Sequence, residues 1–126
     1  ADGVISTDNH GQVMLMNPVA ERLTGWRSVE ALGKDLSMIF DVHDEKTGQS
    51  CERLIKDIYE KSGFSEYHKT SILKSRNGEY ATIACSVAPI KDDSGTVIGL
   101  IFVFRDITEQ QKVELELQKA KLLTVN

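Results

Sequence analysis

The 126-residue chain sets 15 Lys and Arg against 19 Asp and Glu, a net charge of −4, with 40% hydrophobic and 27% charged residues. This balance suits one soluble globular domain with a core of its own; it is too apolar for a disordered chain and shows no basic stripe for nucleic acid or an anionic membrane. The longest apolar run, 97–104 with Gly99 inside it, falls far short of the ~20 residues of a membrane span, so this segment is expected neither to enter a membrane nor to bind nucleic acid.

No signal peptide is visible in the opening ADGVISTD, which has neither a cationic start nor an apolar stretch. Three tetrads end in glycine after polar residues: Asp8-Asn9-His10-Gly11, Ser75-Arg76-Asn77-Gly78 and Asp92-Asp93-Ser94-Gly95. Asn, Asp and Gly tolerate positive φ, so each predicts a hairpin turn. The flanking segments are rich in Val, Ile, Thr, Phe and Tyr, which suit a pleated surface. Five strands are predicted, at 3–7, 12–16, 64–74, 80–90 and 96–105. In the fourth, Ile83, Cys85 and Val87 alternate with Thr82, Ala84, Ser86 and Ala88, which puts the bulkier set on the core face.

Between the second and third strands, Asn17-Pro18 predicts a helix start, with Asn as N-cap and Pro at the first helical position. Ala20 and Leu23 then face inward and Gly25 closes the turn. Two more short helices are predicted at 28–31 and 36–40, a loop at 41–50, and a longer helix at 51–61 whose Leu54, Ile55, Ile58 and Tyr59 share a face. After Asp106 the chain has neither Gly nor Pro, and Thr108-Glu109-Gln110-Gln111 reads as a capping box with Thr108 as N-cap. In the helix that follows, Gln110, Val113, Leu117, Ala120 and Thr124 recur at spacings of three and four, a short coiled-coil seam. Leu115 and Leu122 form a second stripe, which predicts contact with both the domain and a partner.

Known catalytic signatures are missing: the sequence has no GxSxG, no HExxH and no GxxxxGK[ST]. His10, His43 and His68 share no helical i, i+4 spacing, so neither a metal site nor catalysis is expected of this segment. Cys51 and Cys85 are too few for a disulfide framework and form no CxxC, which points to the reducing cytoplasm and leaves open a membrane anchor elsewhere in a parent protein.

In their order and spacing these pieces resemble a PAS domain. DGVISTDNHGQVMLMNPVAERLTGW is similar to its amino-terminal signature, and RNGEYATIACSVAPIKDDSGTVIGLIFVFRDITE to the carboxy-terminal PAC motif. Asp106-Ile107-Thr108 matches the triplet that joins the last strand to the exit helix in that family. The resemblance implies an α+β fold: a five-stranded antiparallel sheet in order 2-1-5-4-3, with short helices on one face and a C-terminal exit helix. It divides the chain into a sensor domain, 1–106, and a linker helix, 107–126, that begins a coiled coil.

In such domains the pocket lies between the sheet and the helices. Strand periodicity then points Met14, Met16, Ile83, Cys85, Val87, Leu100, Phe102 and Phe104 at the helices, with Ser71 as the plain hydrogen-bonding side chain among them. That lining suits a small, largely apolar ligand, and equally an ordinary filled core. No cofactor is predicted. Haem-binding relatives take an axial histidine from the helix before the third strand, and 51–61 contains none; Cys51 would have to serve as thiolate, with His43 and His68 as outside candidates. Light-oxygen-voltage relatives carry a reactive cysteine where Leu36 stands in the run 33–40, and flavin-reading amides where Leu73, Ile83 and Phe104 stand. The sequence therefore disfavours both haem and a cysteinyl-flavin; Trp26 reads as a packing residue rather than a flavin contact.

The expectation is a sensory signal-transduction module whose relay residues are Asp106, Ile107 and Thr108. They pass a ligand or conformational signal through the exit helix to a C-terminal output domain. The tail KVELELQKAKLLTVN resembles the linker of two-component sensor histidine kinases, with a cyclic-di-GMP synthase or hydrolase as the second output and a ligand-free dimerisation module as the third reading. A homodimer through the C-terminal helix is expected. The chain opens on a strand and stops inside a helix, so both ends read as boundaries of a piece from a longer protein.

Overall fold

The computed structural model describes residues 1–50, 52–53, 55–56 and 67–124. Strands β1 (Gly3–Asp8) and β2 (Val13–Met16) lead into helices α1 (Pro18–Thr24), α2 (Ser28–Ala31) and α3 (Leu36–Ile39). Then come β3 (Asp41–Asp44), β4 (Tyr67–Lys74), β5 (Tyr80–Lys91) and β6 (Val97–Asp106), followed by α4 (Thr108–Thr124). The strands form one antiparallel sheet in order β2-β1-β6-β5-β4-β3. Gly11, Gly78 and Gly95 close the three hairpins at φ 79°, 88° and 85°, a region open to glycine and strained for other residues.

Among the described residues the sheet has six strands, not five. Segment 41–50 was expected to be a loop, yet Asp41–Asp44 adds an edge strand along β4, with Val42 opposite Leu73 and Asp44 opposite Ser71. Val42 and Asp44 turn inward, and Asp44 Oδ1 accepts from the amides of Lys46 and Thr47, each at 2.8 Å. Only one apolar residue marks this strand; its pairing partner, far along the chain, decides it. The predicted strand portion 64–66 lies outside the described residues, as do Cys51, Leu54, Ile58 and Tyr59; Glu52, Arg53, Ile55 and Lys56 are helical.

Asn17 ties the sheet to the first helix. Its Oδ1 accepts from the amides of Ala20 and Val4, both at 2.9 Å, so one side chain caps α1 and fastens β1. Gly25, at φ 78°, ends the helix as expected. The core lies between the sheet and the helices. Ile5, Ile83, Leu100, Phe102 and Phe104 from the strands meet Ala20, Leu36, Ile39 and Phe40 from the helical side. Phe40 packs edge-on to Phe102, with ring centroids 5.8 Å apart, and tilted on Phe104 at 4.8 Å. Each large apolar side chain sealed here stabilises the fold by roughly 1.5–3 kcal/mol.

Candidate functional site: the junction of sheet and exit helix

The residues expected to line a pocket divide. Met16, Ser71, Ile83, Cys85, Val87, Leu100, Phe102 and Phe104 are buried on the helix-facing side of the sheet, where Phe40 fills space against the two phenylalanines. Met14 does not join them: it is 60% exposed. The reason is a bulge. Thr7 pairs with Val13 and Ser6 with Leu15, so Met14 is the extra residue on β2 and the alternation breaks there.

Leu36, Leu73, Ile83 and Phe104, which stand where light-oxygen-voltage relatives carry cysteine and amides, are all buried apolar residues. His10 is exposed in the first hairpin. His43 lies on β3, half exposed and 3.5 Å from Asp41, and His68 lies on β4. Among the described residues, no group of three or more His, Cys, Asp or Glu is placed to hold a metal ion. Cys85 carries a free thiol that burial pushes up to a pKa of about 12.

The relay residues come together at the end of β6. Asp106 Oδ1 accepts from the backbone amide of Thr108 at 2.9 Å and from its hydroxyl at 2.6 Å. The same hydroxyl oxygen accepts from the amide of Thr82 on β5 at 2.9 Å. The amide of Ile107 donates to the Thr82 carbonyl at 2.8 Å, and that of Gln111 to the Ile107 carbonyl at 2.9 Å. The β5–β6 ladder, whose last residue pair is Ile83 with Asp106, is thus carried two residues further, into the first turn of α4.

This arrangement corrects the capping assignment. Ile107 occupies the N-cap position, since its carbonyl accepts the first helical bond, and Thr108 is the first helical residue. Thr108 spends its hydroxyl on Asp106 and Thr82 rather than on a capping box. Position 107 is set by where β6 runs out along β5, a tertiary matter that the pattern Thr-x-x-Gln does not contain. Arg105 takes a different partner from Asp106: its Nε donates to Asp2 Oδ1 at 2.8 Å.

Beyond its first turn α4 is lightly held. A cleft of about 650 Å³ opens between the Asp44–Thr47 turn, Ala84, Ser86 and Gln111, and Cys85 borders it. A second, of about 340 Å³, lies between Ala84, Ser86, Val103, Ile107 and Gln110. The small side chains of Ala84 and Ser86 leave both open. Val113, Leu115, Leu117 and Leu122 are half or more exposed on the helix.

Thr82 and the contacts of Arg76 escaped the sequence reading. Arg76 was visible only as a turn residue, and Thr82 only as the small member of an alternating pair. Trp26 packs against the core, as expected, and the Arg76 guanidinium lies over its ring at 3.9 Å from the centroid.

A family model for the PAS domain matches residues 1–109. The signal transduction histidine-protein kinase AtoS of Escherichia coli is 32% identical over 125 residues, covering 98% of this chain and 19% of that protein. The probable diguanylate cyclase DgcE of Escherichia coli is 29% identical over 113 residues, covering 89% of this chain and 10% of that protein. The sensor protein kinase WalK of Staphylococcus aureus is 29% identical over 117 residues, covering 92% of this chain and 25% of that protein. The chain thus spans a quarter or less of the length of these relatives. Among solved structures, the PAS domain of a Colwellia psychrerythraea protein superposes with a TM-score of 0.70 at 20% identity, covering 86% of this chain and 87% of that one.

Proposed function

The chain belongs to the PAS domain family, and we propose that it serves as a sensory module whose exit helix hands a signal to a C-terminal output domain. The observation that carries this reading is the Asp106–Thr108–Thr82 network. It fastens the first turn of α4 to two strands of the sheet while the rest of the helix stays exposed. A small change in how β5 and β6 sit together would alter the angle at which α4 leaves. The output is a two-component histidine kinase, supported by the likeness to AtoS and WalK. The likeness to DgcE supports a cyclic-di-GMP enzyme as the second reading. The module works in the cytoplasm as a homodimer through α4, and no helix among its described residues is long and apolar enough to cross a membrane.

The buried face of Met16, Ser71, Ile83, Cys85, Val87, Phe102 and Phe104 is where a small apolar ligand would reach the sheet, by displacing Phe40. Neither haem nor a cysteinyl-flavin belongs to this reading. The test is Asp106→Ala in the full-length protein. Output should lock at one level whatever the stimulus, with the protein still folded. A normal response to stimulus from that variant would remove the junction from the signalling route.

A further inference from the structure

We propose that Arg76 is a positioning residue that couples the α1–α2 corner to the start of α4 through the β4–β5 hairpin. One residue at the hairpin tip meets the corner in four ways. Its amide donates to the Thr24 carbonyl at 2.8 Å. Its Nη1 donates to Glu30 Oε2 at 2.8 Å. Its guanidinium stacks on Trp26. Its backbone runs so close to Gly25 that a Cβ there would stand 3.2 Å from the Arg76 nitrogen.

The corner that receives Arg76 is itself tied together. Glu21 Oε2 accepts from the Ser28 amide at 2.7 Å, joining α1 to α2. Thr24 Oγ1 accepts from the Trp26 amide at 3.2 Å and donates to the Ala20 carbonyl at 2.8 Å. Glu30 Oε1 accepts from the Arg27 amide at 3.4 Å while its other oxygen holds Arg76. The hydrogen bond from the guanidinium keeps the Glu30 carboxyl below its ordinary value.

The same hairpin carries Thr82, on β5, six residues along the chain from Arg76. Its amide and its carbonyl both bond the α4 junction. Between the two points β5 is paired with β4 at Tyr80, Ala81 and Thr82, while its ladder to β6 begins only at Ile83. This stretch is therefore a lever free of β6 pairing and backed on its other side by β3, whose Asp41–His43 pairs with the same β4 residues. One end is clasped to the helices that cover the core; the other holds the origin of the exit helix. A shift at the corner moves the lever, and the lever moves Thr82. Charge alone does not make the clasp, since a lysine would keep the ion pair and lose the planar stack on Trp26.

The coupling deepens the relay reading but is tested separately from it, in this 126-residue chain, by amide hydrogen exchange. Arg76→Gln should speed exchange at the Thr82 and Ile107 amides at least tenfold. The Val4 amide, bonded to Asn17 away from the hairpin, should change by less than threefold. Coupling is reciprocal, so Thr108→Val should shift the fluorescence of Trp26, the sole tryptophan, without unfolding the protein. Should Arg76→Gln not fold, Arg76→Lys takes its place and should give a smaller rise at the same two amides. Equal acceleration at Val4 and Thr82 would show mere loss of stability and overturn the proposal. So would unchanged exchange at Thr82 with the Trp26–Arg76 stack broken. Either result leaves the Asp106→Ala test of the relay untouched.

Discussion

The backbone amide of Thr82 donates to the hydroxyl of Thr108 across 26 residues of sequence, at 2.9 Å. The hydroxyl in turn donates to Asp106 at 2.6 Å. The exit helix therefore starts where two neighbouring strands agree that it should, and its direction is tied to their mutual position.

These groups are exposed, so their loss should perturb direction more than stability. Asp106→Ala and Thr108→Val should each cost about 1–2 kcal/mol, a shift of several degrees in melting temperature. Phe102→Ala removes a ring that is 1% exposed and packed on Phe40, and should cost ~3–5 kcal/mol. Thermal melts of the three variants check the ranking; equal losses would mean that the junction is part of the folding core.

Gly99 faces the backbone of β1. A Cβ there would collide with the Thr7 carbonyl oxygen, which cannot retreat without opening the β1–β6 pairing. Gly99→Ala should cost roughly 3 kcal/mol or more. At Gly3 the obstacle is the Phe104 ring, at 2.7 Å. A ring shifts more readily than paired backbone, so Gly3→Ala should cost less, roughly 1–3 kcal/mol. Urea unfolding would check the order of the two.

On the acid side, three carboxyls among the described residues lie below their ordinary values: Glu30 through its bond to Arg76, Asp35 through the Ser37 hydroxyl, and Asp92 through the Ser94 hydroxyl. A depressed folded-state pKa means that the unfolded chain takes up protons first. The stability these groups supply is complete above their reference values of 4.5 and 3.8 and is lost as pH falls below them. Urea midpoints should hold level down to about pH 5 and decline beneath it, and Asp92→Asn should flatten part of that decline.

Cys85 behaves in the opposite sense. Burial raises its thiol from 9.0 to about 12, so the protonated form is favoured in the folded state. Any stability linked to it is present below pH 9 and is lost as pH climbs toward 12. In a Cys51→Ser background, a thiol reagent at pH 8 should label the native protein only at the rate of its opening, and label it at once in denaturant. Rapid labelling of the native protein would mean that the cleft beside Ala84 and Ser86 admits reagent to the sulfur.

The exposed stripe of Val113 and Leu117 should give weak self-association, because the seam is short and only partly apolar. Truncation after Thr108 should abolish the dimer in analytical sedimentation. A dimer that survives truncation would place the interface on the sheet or the amino-terminal edge.

The sequence by itself determined what local chemistry can enforce. Glycines that need positive φ closed the three hairpins, Asn17-Pro18 opened α1, and the period of two in β5 named Ile83, Cys85 and Val87 as inward-facing. These signals act within a few residues, so no partner has to be known. The tertiary structure alone decided what depends on distant partners. Asp41–Asp44 is a strand because the edge of β4 was open to it. Met14 turns outward because β1 and β2 slip by one residue. Thr108 serves a neighbouring strand instead of its own helix because β6 ends beside Thr82. Arg76, in sequence a residue of a tight turn, stacks on Trp26 because folding brings the hairpin tip to the helix corner.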